Sequence, residues 1–413
     1  MVYVLDITGK PLMPTERHGK VRRLLRDGRA CVVKLEPFTI QLSYESNTYK
    51  QNITLGVDAG SVHIGLSATT ESKELFSAEV ILRRDISEKI FSRKMNRENR
   101  RTRKLRHREM RRNNRRRKSD WFAPSIQYKI DSHLKSIRLV NSILPVKNIV
   151  IETANFDIQK IHNGSLSGTD YQQGEQEGFW NVREFVLSRD SHKCQHCKGK
   201  SGDNVLNVHH IESRKTGGDA PNNLITLCET CHKAFHRGDI KINIKRGLVT
   251  KDMSAMNTTR YAIYNKAKEE FENVSMTFGY ITKDTRIKNS IPKTHCSDAY
   301  CITRNVNALR AERFYKIRLL QRHRRVLHVT NPRKGGLRRS NTTGHWIGKS
   351  KLQRFDTVVW RGIRCFIYGS TNGRAYLKDI DGARVMDGAS VNVKYIKFIH
   401  RNKGFLITKL FNI

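Results

Sequence analysis

The fold is decided by residues 53–81, ITLGVDAGSVHIGLSATTESKELFSAEVI, in which three apolar runs follow one another. Ile53–Val57 is apolar and rich in β-branched residues, and the Asp58-Ala59-Gly60 tripeptide after it predicts a turn. Val62–Ala68 and Leu75–Ile81 predict two further strands that return antiparallel. A three-stranded meander of this kind is typical of the opening of an α/β domain.

Acidic residues lie where later segments could meet that meander. Asp58 follows its first strand, and Glu152 ends the buried-type strand Asn148–Glu152. His295 and Asp298 share one face of a predicted helix because they are three residues apart. Clustered carboxylates can hold two Mg²⁺ ions about 4 Å apart, which bracket the attacking and leaving oxygens of a displacement. Taken singly, each aspartate also fits an ordinary role as a turn residue or helix cap.

Two cysteine pairs bound a block rich in cysteine and histidine. Cys194-x2-Cys197 and Cys228-x2-Cys231 predict one tetrahedral zinc site of four thiolates, which would be structural because it is closed. The double CxxC pattern alone favours a structural zinc finger that presents basic residues. The segment between the pairs is longer than a simple zinc ribbon needs, which indicates a functional insertion.

Histidines within and after this insertion have the layout of a ββα-metal nuclease. His209 and His210 would point in opposite directions from a strand, so that one binds metal while the other activates water. A neutral imidazole accepts a proton from water near pH 7, and a divalent ion stabilises the leaving oxygen. Asn223 could hydrogen-bond the backbone across the loop and hold the base in place. His232 and His236, four residues apart, would face one ion.

Charge favours a polyanionic partner, because 78 Lys and Arg residues against 38 Asp and Glu leave a formal net charge of +40. Self-repulsion on this scale disfavours a compact state unless nucleic acid neutralises it. A basic structural protein of the ribosomal or nucleoid kind is the alternative. More than half of the residues in Arg93–Lys118 are basic, so a helix there would have no apolar face and would need an external partner. The residues expected to contact nucleic acid are Arg97, Arg100, Arg101, Arg103, Lys104, Arg108, Arg111, Arg112, Arg115 and Arg116.

The expected cellular location rests on two features that the sequence lacks. No apolar run has the length of a membrane span, and the residues from Met1 lack the layout of a secretory signal. CxxC pairs without an export signal usually bind metal. We therefore expect a protein of the reducing cytoplasm with no membrane partner.

Residues 179–244 resemble the HNH endonuclease family, on the residues just described. The resemblance implies that His210 is the general base, that His209 and His232 bind one Mg²⁺ ion, and that Asn223 orients the loop. It leaves His236 open as a further ligand.

The order of the acidic motifs carries a second resemblance. Asp58, Glu152 and His295-x2-Asp298, with an HNH block between the second and third, resemble the split RuvC nuclease of CRISPR type II effectors. The arginine-rich segment is similar to their bridge helix, although the chain lacks the length for their large recognition lobe. Pro11–Pro14 reads PLMP, which is similar to the PLMP domain of the transposon-encoded IscB nucleases.

These resemblances imply an RNA-guided DNA endonuclease of the IscB family, with catalytic Asp58, Glu152, His295 and Asp298 in its RuvC site. The implied cofactors are two Mg²⁺ ions in RuvC, one in HNH, and a structural Zn²⁺. A guide (omega) RNA would pair one strand of a DNA target opened as an R-loop. HNH would cut that strand and RuvC the displaced strand, in a ribonucleoprotein with one protein chain.

The implied fold class is multidomain α/β: an RNase H-like (RuvC) core with an inserted ββα-metal HNH domain, a bridge helix and a β-rich C-terminal domain. The expected domains are a PLMP domain (1–52), RuvC segment I (53–82), the bridge helix (83–124), RuvC segment II with a linker (125–178), the HNH domain with zinc knuckles (179–252), RuvC segment III (253–330) and a β-rich domain for guide RNA and the target-adjacent motif (331–413).

Other classes stay open at this point. An HNH nuclease that works without RNA would not need the basic helix or the PLMP segment. A catalytically silent RNA-binding protein would not need the intact acidic and histidine motifs. A Holliday-junction resolvase would use RuvC without an inserted HNH.

Overall fold

The computed structural model describes residues 1–47, 49–101, 121–153, 181–212, 221–240, 251–320, 352–371, 373–385, 390–402 and 404–411. The chain is mixed α/β, as expected, and divides into two compact units. The first unit combines Met1–Ala154 with Thr258–Ile413, and the second comprises Asn155–Asn257. In the described ranges, no helix is long and apolar enough to cross a membrane.

The first unit opens with a small αβ element within residues 1–52, the range expected for the PLMP domain. Its parts are β1 (Tyr3–Leu5), α1 (His18–Arg26), β2 (Ala30–Lys34) and β3 (Thr39–Leu42). Strand β3 is central, parallel to β1 and antiparallel to β2. The Tyr3 hydroxyl donates a 3.0 Å hydrogen bond to the Leu75 carbonyl, which fastens this element to the main sheet.

The main sheet has seven strands around the predicted meander. The meander is antiparallel and consists of β4 (Thr54–Ala59), β5 (His63–Thr69) and β6 (Glu74–Ile81). The other four strands are β7 (Asn148–Glu152), β10 (Val274–Thr277), β11 (Arg313–Leu319) and β17 (Phe405–Phe411). The order is β10-β7-β4-β5-β6-β11-β17, and β7 and β10 run parallel to β4. Leu55, Val57, Ile64 and Leu66 are fully buried on one face of β4 and β5, and the small residues Gly56, Gly65 and Ser67 are buried on the other, so both faces of these strands are covered.

Among the described residues, five further helices belong to the first unit or cross its boundary: α2 (Ile86–Arg101), α3 (Pro124–Asn141), α6 (Lys251–Glu270), α7 (Gly279–Lys288) and α8 (His295–Ile302). Helix α3 starts with proline at its N-terminus and buries Ile130, Leu134 and Ile137 at helical spacing. The apolar and β-branched residues of 276–282 predict one continuous strand, but this prediction is wrong beyond Thr277, because α7 begins at Gly279. The β-branched residues there only weakly favour a strand.

Two strand glycines let α8 lie directly on the sheet. A side chain at Gly56 would stand 2.1 Å from the Ala299 carbonyl oxygen, and one at Gly65 would stand 2.0 Å from the His295 carbonyl oxygen. Any larger residue would therefore push the helix away. The Thr294 side chain caps α8 by accepting from the Ser297 amide, which sets the start of the helix at His295.

The second unit contains a hairpin followed by a helix. Its elements are α4 (Val182–Arg189), β8 (Leu206–His210), β9 (Leu224–Cys228) and α5 (Glu229–Arg237). Strands β8 and β9 are antiparallel, so the predicted ββα order is present. Its small core contains Ile225, Leu227 and the buried cysteines.

The C-terminal region is β-rich, as predicted. A five-stranded antiparallel sheet has the order β15-β14-β13-β12-β16, from β12 (Thr357–Trp360), β13 (Ile363–Thr371), β14 (Arg374–Lys378), β15 (Val391–Asn392) and β16 (Lys397–His400). Strand β17 follows this sheet in the chain but pairs with β11 of the main sheet. The expected C-terminal domain of residues 331–413 did not provide for this pairing. Leu406 and Ile407 are buried in that pairing, and burial favours the return.

Candidate active sites

A carboxylate cluster forms on the main sheet of the first unit. Asp58 and Glu152 are register partners on the parallel strands β4 and β7. Helix α8 adds His295 and Asp298, and His295 Nδ1 lies 2.7 Å from Asp58 Oδ2. The structure thus brings together the four residues that the sequence predicted for a RuvC site, although they come from three distant segments.

Crowding and burial make these carboxylates hard to ionise together. Burial, with the Asp58 and Asp298 carboxylates nearby, raises the pKa of Glu152 to about 7 against a hydrogen bond from the Thr282 hydroxyl. Burial and Asp58 also raise the pKa of Asp298. The pKa of Asp298 is raised even though its Oδ1 lies 3.1 Å from the Arg286 guanidinium, which opposes the rise. A divalent cation would relieve the repulsion, so the donor set fits Mg²⁺.

His295 has neighbours that the sequence analysis did not single out. Its ring stacks on His63, with ring centroids 5.0 Å apart and planes 2° apart. His63 Nδ1 in turn lies 2.7 Å from Glu79 Oε1. The hydrogen bond with Asp58 raises the pKa of His295. No spacing rule links His63 on β5 and Glu79 on β6 to a helix more than two hundred residues later, so only the packing reveals them.

Four cysteines of the second unit converge as the CxxC pattern predicted. The sulphurs of Cys194, Cys197, Cys228 and Cys231 lie within 4.8 Å of one another. Cys197 and Cys228 are 3.8 Å apart at sulphur. Zinc–sulphur bonds of about 2.3 Å in a tetrahedron put neighbouring sulphurs roughly 3.8 Å apart, so the cluster fits Zn²⁺.

The thiols of this cluster differ in acidity. The Ser201 hydroxyl, 3.3 Å from Cys197 Sγ, lowers the pKa of the Cys197 thiol. Burial raises the pKa of the Cys231 thiol. A bound cation would favour the thiolate form of every member.

Three imidazoles form a second cluster in the same unit. Ligand atoms of His209, His232 and His236 lie within 4.8 Å of one another. His232 and His236 approach to 3.3 Å between their Nε2 atoms, one helical turn apart on α5. The structure therefore brings His236, which the resemblance left open, into the group.

Burial favours the neutral form of His209 and His232. Burial, then the neighbouring histidines, lower the pKa of His209 to about 4. Burial and His236 also lower the pKa of His232. Neutral imidazoles are the form that binds a metal ion, so the donor set fits a divalent cation.

Asn223 lies where the sequence predicted a loop-orienting residue. Its side chain is fully buried, and it accepts from the Glu212 amide at 2.9 Å and donates to the Glu212 carbonyl at 3.0 Å. Glu212 follows His210 by two residues, and His210 pairs with Leu224 across the hairpin. Because adjacent strand residues alternate, His210 and His209 face opposite sides of β8.

The structure describes only the start of the predicted basic helix. Arg97 is exposed on α2, and its Nε donates to the Arg93 carbonyl. Arg100 and Arg101 are the last described residues of that helix. The remaining predicted contacts lie outside the described residues: Arg103, Lys104, Arg108, Arg111, Arg112, Arg115 and Arg116.

Comparison with known proteins identifies two families within the chain. Residues 2–174 match the family described as RRXRR protein, and residues 194–238 match the HNH endonuclease family. The HNH match covers both cysteine pairs, the three clustered histidines, His210 and Asn223. The predicted enzyme class, a metal-dependent DNA endonuclease, is confirmed by this domain.

Individual relatives cover limited parts of the chain. Anaredoxin from Nostoc sp. is 36% identical over 66 residues, which are 16% of this chain and 84% of that protein. Streptococcus thermophilus Cas9 in complex with the AGAA PAM has 15% identity and a TM-score of 0.29, over 45% of this chain and 26% of the Cas9 chain. The same Cas9 in complex with the AGGA PAM has 15% identity and a TM-score of 0.30, over 44% and 26%. The chain thus spans about a quarter of the Cas9 chains that it matches.

Proposed function

We propose that this chain, an IscB-like nuclease with an RRXRR domain and an HNH endonuclease domain, cuts DNA at two separate sites under the guidance of RNA. One observation carries the proposal: Asp58, Glu152 and Asp298 lie close together at the main sheet, while the HNH segment enters the chain between strands β7 and β10 of that sheet. The strand order β6-β5-β4-β7-β10 supports an RNase H-like, RuvC-type core.

The carboxylate site suits a two-ion hydrolysis. Asp58, Glu152 and Asp298 would hold two Mg²⁺ ions, which stabilise the attacking and leaving oxygens when bound. Since His295 Nδ1 faces Asp58, its Nε2 is the atom that takes a proton from the attacking water. Asp58 holds the imidazole in place for this task.

In the HNH site, metal binding and proton acceptance would fall to a different set of residues. His209, His232 and His236 would hold one Mg²⁺ ion, which stabilises the leaving oxygen when bound. His210, on the opposite side of β8, takes the proton from water. Asn223 holds the backbone after His210, and the four cysteines hold Zn²⁺ to fold the domain.

Charge supports the partners. Most of the +40 net charge would meet the phosphates of a guide (omega) RNA and of a DNA target opened as an R-loop. Helix α2 and the basic residues after it would contact backbone more than bases. The C-terminal β-rich region would contact the guide and the target-adjacent motif. In this proposal the system is transposon-encoded, with one protein chain in each ribonucleoprotein.

The two sites should cut different strands, because pairing with the guide separates the target strand from the displaced strand. HNH would cut the guide-paired strand and the carboxylate site the displaced strand. His210→Ala should leave a nickase for the displaced strand, and Asp58→Ala a nickase for the paired strand. The double variant should still bind the target.

The test uses the ribonucleoprotein, Mg²⁺ and a target labelled on each strand separately. The RNA that co-purifies with the protein, identified by sequencing, supplies the guide. If either single substitution stopped cutting of both strands, or of the opposite strand, the assignment of sites to strands would be wrong. Full activity after complete removal of RNA would favour an HNH nuclease that needs no guide.

A further inference from the structure

Two exposed aromatic residues lie at the start of α7, where the mechanism above assigns no role. Phe278 is 41% exposed and Tyr280 is 72% exposed. Their rings are nearly parallel, with centroids 6.1 Å apart and planes 9° apart. A single exposed apolar residue is ordinary in proteins, but two neighbouring exposed rings with parallel planes offer ring faces on which a further flat group can stack.

This pair flanks the carboxylate cluster directly. Gly279 stands between the two aromatic residues, and a side chain there would come within 3.0 Å of Glu152 Oε1. Three residues further along α7, the Thr282 hydroxyl donates to the other oxygen of Glu152. The glycine therefore allows the backbone that carries both rings to approach the carboxylate that would hold metal.

The surroundings favour a polyanion with exposed ring faces. Lys293 is exposed, and its charge opposes the rise that burial causes in the pKa of Asp298, so a cation lies near the cluster. Lys283 is also exposed on α7. Basic side chains beside aromatic rings are the combination that binds single-stranded nucleic acid, since phosphates meet the cations and bases stack on the rings. Bases in a duplex are stacked on each other and have no free face to offer.

We propose that Phe278 and Tyr280 form a stacking platform for unpaired bases next to the phosphate that the carboxylate site cuts. The ligand is single-stranded DNA, held through base faces and therefore without preference for base identity. This inference rests on the proposed function, which supplies an unpaired displaced strand at this site. It adds a reason why that site would act on the displaced strand and not on duplex DNA.

The first experiment measures cutting of both labelled strands in the ribonucleoprotein. Phe278→Ala and Tyr280→Ala should each slow cutting of the displaced strand by about 5- to 150-fold, the range expected for loss of one base–ring stack. Cutting of the paired strand is the internal control and should not change. Tyr280→Phe keeps the ring and should cut as the parent does. Tyr49→Ala removes an equally exposed tyrosine, 79% exposed, and serves as the matched control.

An abasic displaced strand separates stacking from other effects. Removing the bases next to the cleavage point should slow the parent protein as much as Tyr280→Ala does, and should have no further effect on that variant. Displaced-strand rates of both alanine variants within twofold of the parent would overturn the inference. So would an equal loss on both strands, which would indicate that the rings pack against protein.

The second experiment does not depend on cutting. Displaced strands carrying 5-iododeoxyuridine near the cleavage point are irradiated in the ribonucleoprotein without divalent metal, and the cross-linked peptide is sequenced. A cross-link at Phe278 or Tyr280 supports the platform even if the parent fails to cut the displaced strand, in which case the proposed function fails alone. Cross-links elsewhere, in a protein that does cut the displaced strand, overturn the platform alone.

Discussion

Replacing Asn223 with alanine should slow the HNH site selectively. The Asn223 side chain is fully buried and joins both backbone groups of Glu212, at 2.9 Å and 3.0 Å. Each such hydrogen bond contributes about 1 kcal/mol net, so the substitution costs about 2 kcal/mol. If that cost falls on the position of His210, two residues before Glu212, cutting of the paired strand should drop about 30-fold.

The assay is single-turnover cleavage of a target labelled on each strand, with guide RNA and saturating Mg²⁺. Asn223→Asp is a second variant of nearly the same shape. It keeps the acceptor for the Glu212 amide but turns the donor into an oxygen that faces the Glu212 carbonyl. We expect it to cut the paired strand at least as slowly as Asn223→Ala. Asn204→Ala, at an exposed asparagine of the same unit, should cut normally.

Two results would refute this reasoning. A paired-strand rate within twofold of the parent would show that the bridge to Glu212 does not position the base. An equal loss on the displaced strand would show a general effect on the ribonucleoprotein instead. Melting of the second unit, followed separately, checks that the variants remain folded at the assay temperature.

Three further outcomes are expected. Cys228→Ser should abolish zinc binding, measured by metal analysis, and unfold the second unit while displaced-strand cutting survives, because the buried thiolate cluster supplies folding energy; retention of zinc and of paired-strand cutting would contradict this. Because Glu152 is protonated below its raised pKa of about 7, lowering the pH from 8 to 6 should raise the Mg²⁺ concentration for half-maximal displaced-strand cutting about tenfold, and an unchanged concentration would argue against Glu152 as a ligand. His63→Ala should slow displaced-strand cutting by about 2- to 12-fold because His295 loses its stacked neighbour, whereas His63→Phe keeps a ring and should cut faster than the alanine variant; equal rates for the two would show that stacking is not the cause.

Features that depend on short spacing along the chain could be predicted from the sequence. The meander over residues 53–81 was predictable because its strands carry continuous apolar runs separated by turn residues. The four-cysteine cluster and the order of the ββα unit were predictable because CxxC pairs and histidines one helical turn apart are local patterns. The acidic motifs of the candidate carboxylate site could be named from resemblance, and their roles remain predictions.

The surroundings of these residues depend on how distant segments pair and pack. Parallel pairing of β4 with β7 sets Asp58 beside Glu152, and two glycines admit α8 with His295 to the same place. His63 and Glu79 are ordinary strand residues in the sequence, and they become partners of His295 only through this packing.

Helix α7 is the clearest case in which the local sequence predicted the wrong secondary structure. Its β-branched residues, Ile281 and Thr282, predicted a continued strand, yet the chain turns at Phe278 so that Thr282 reaches Glu152. Local propensity is worth a fraction of a kcal/mol for each residue, and contacts between distant segments easily outweigh it. Spacing along the chain predicts which residues are buried, whereas strand register and helix packing determine which of them come into contact.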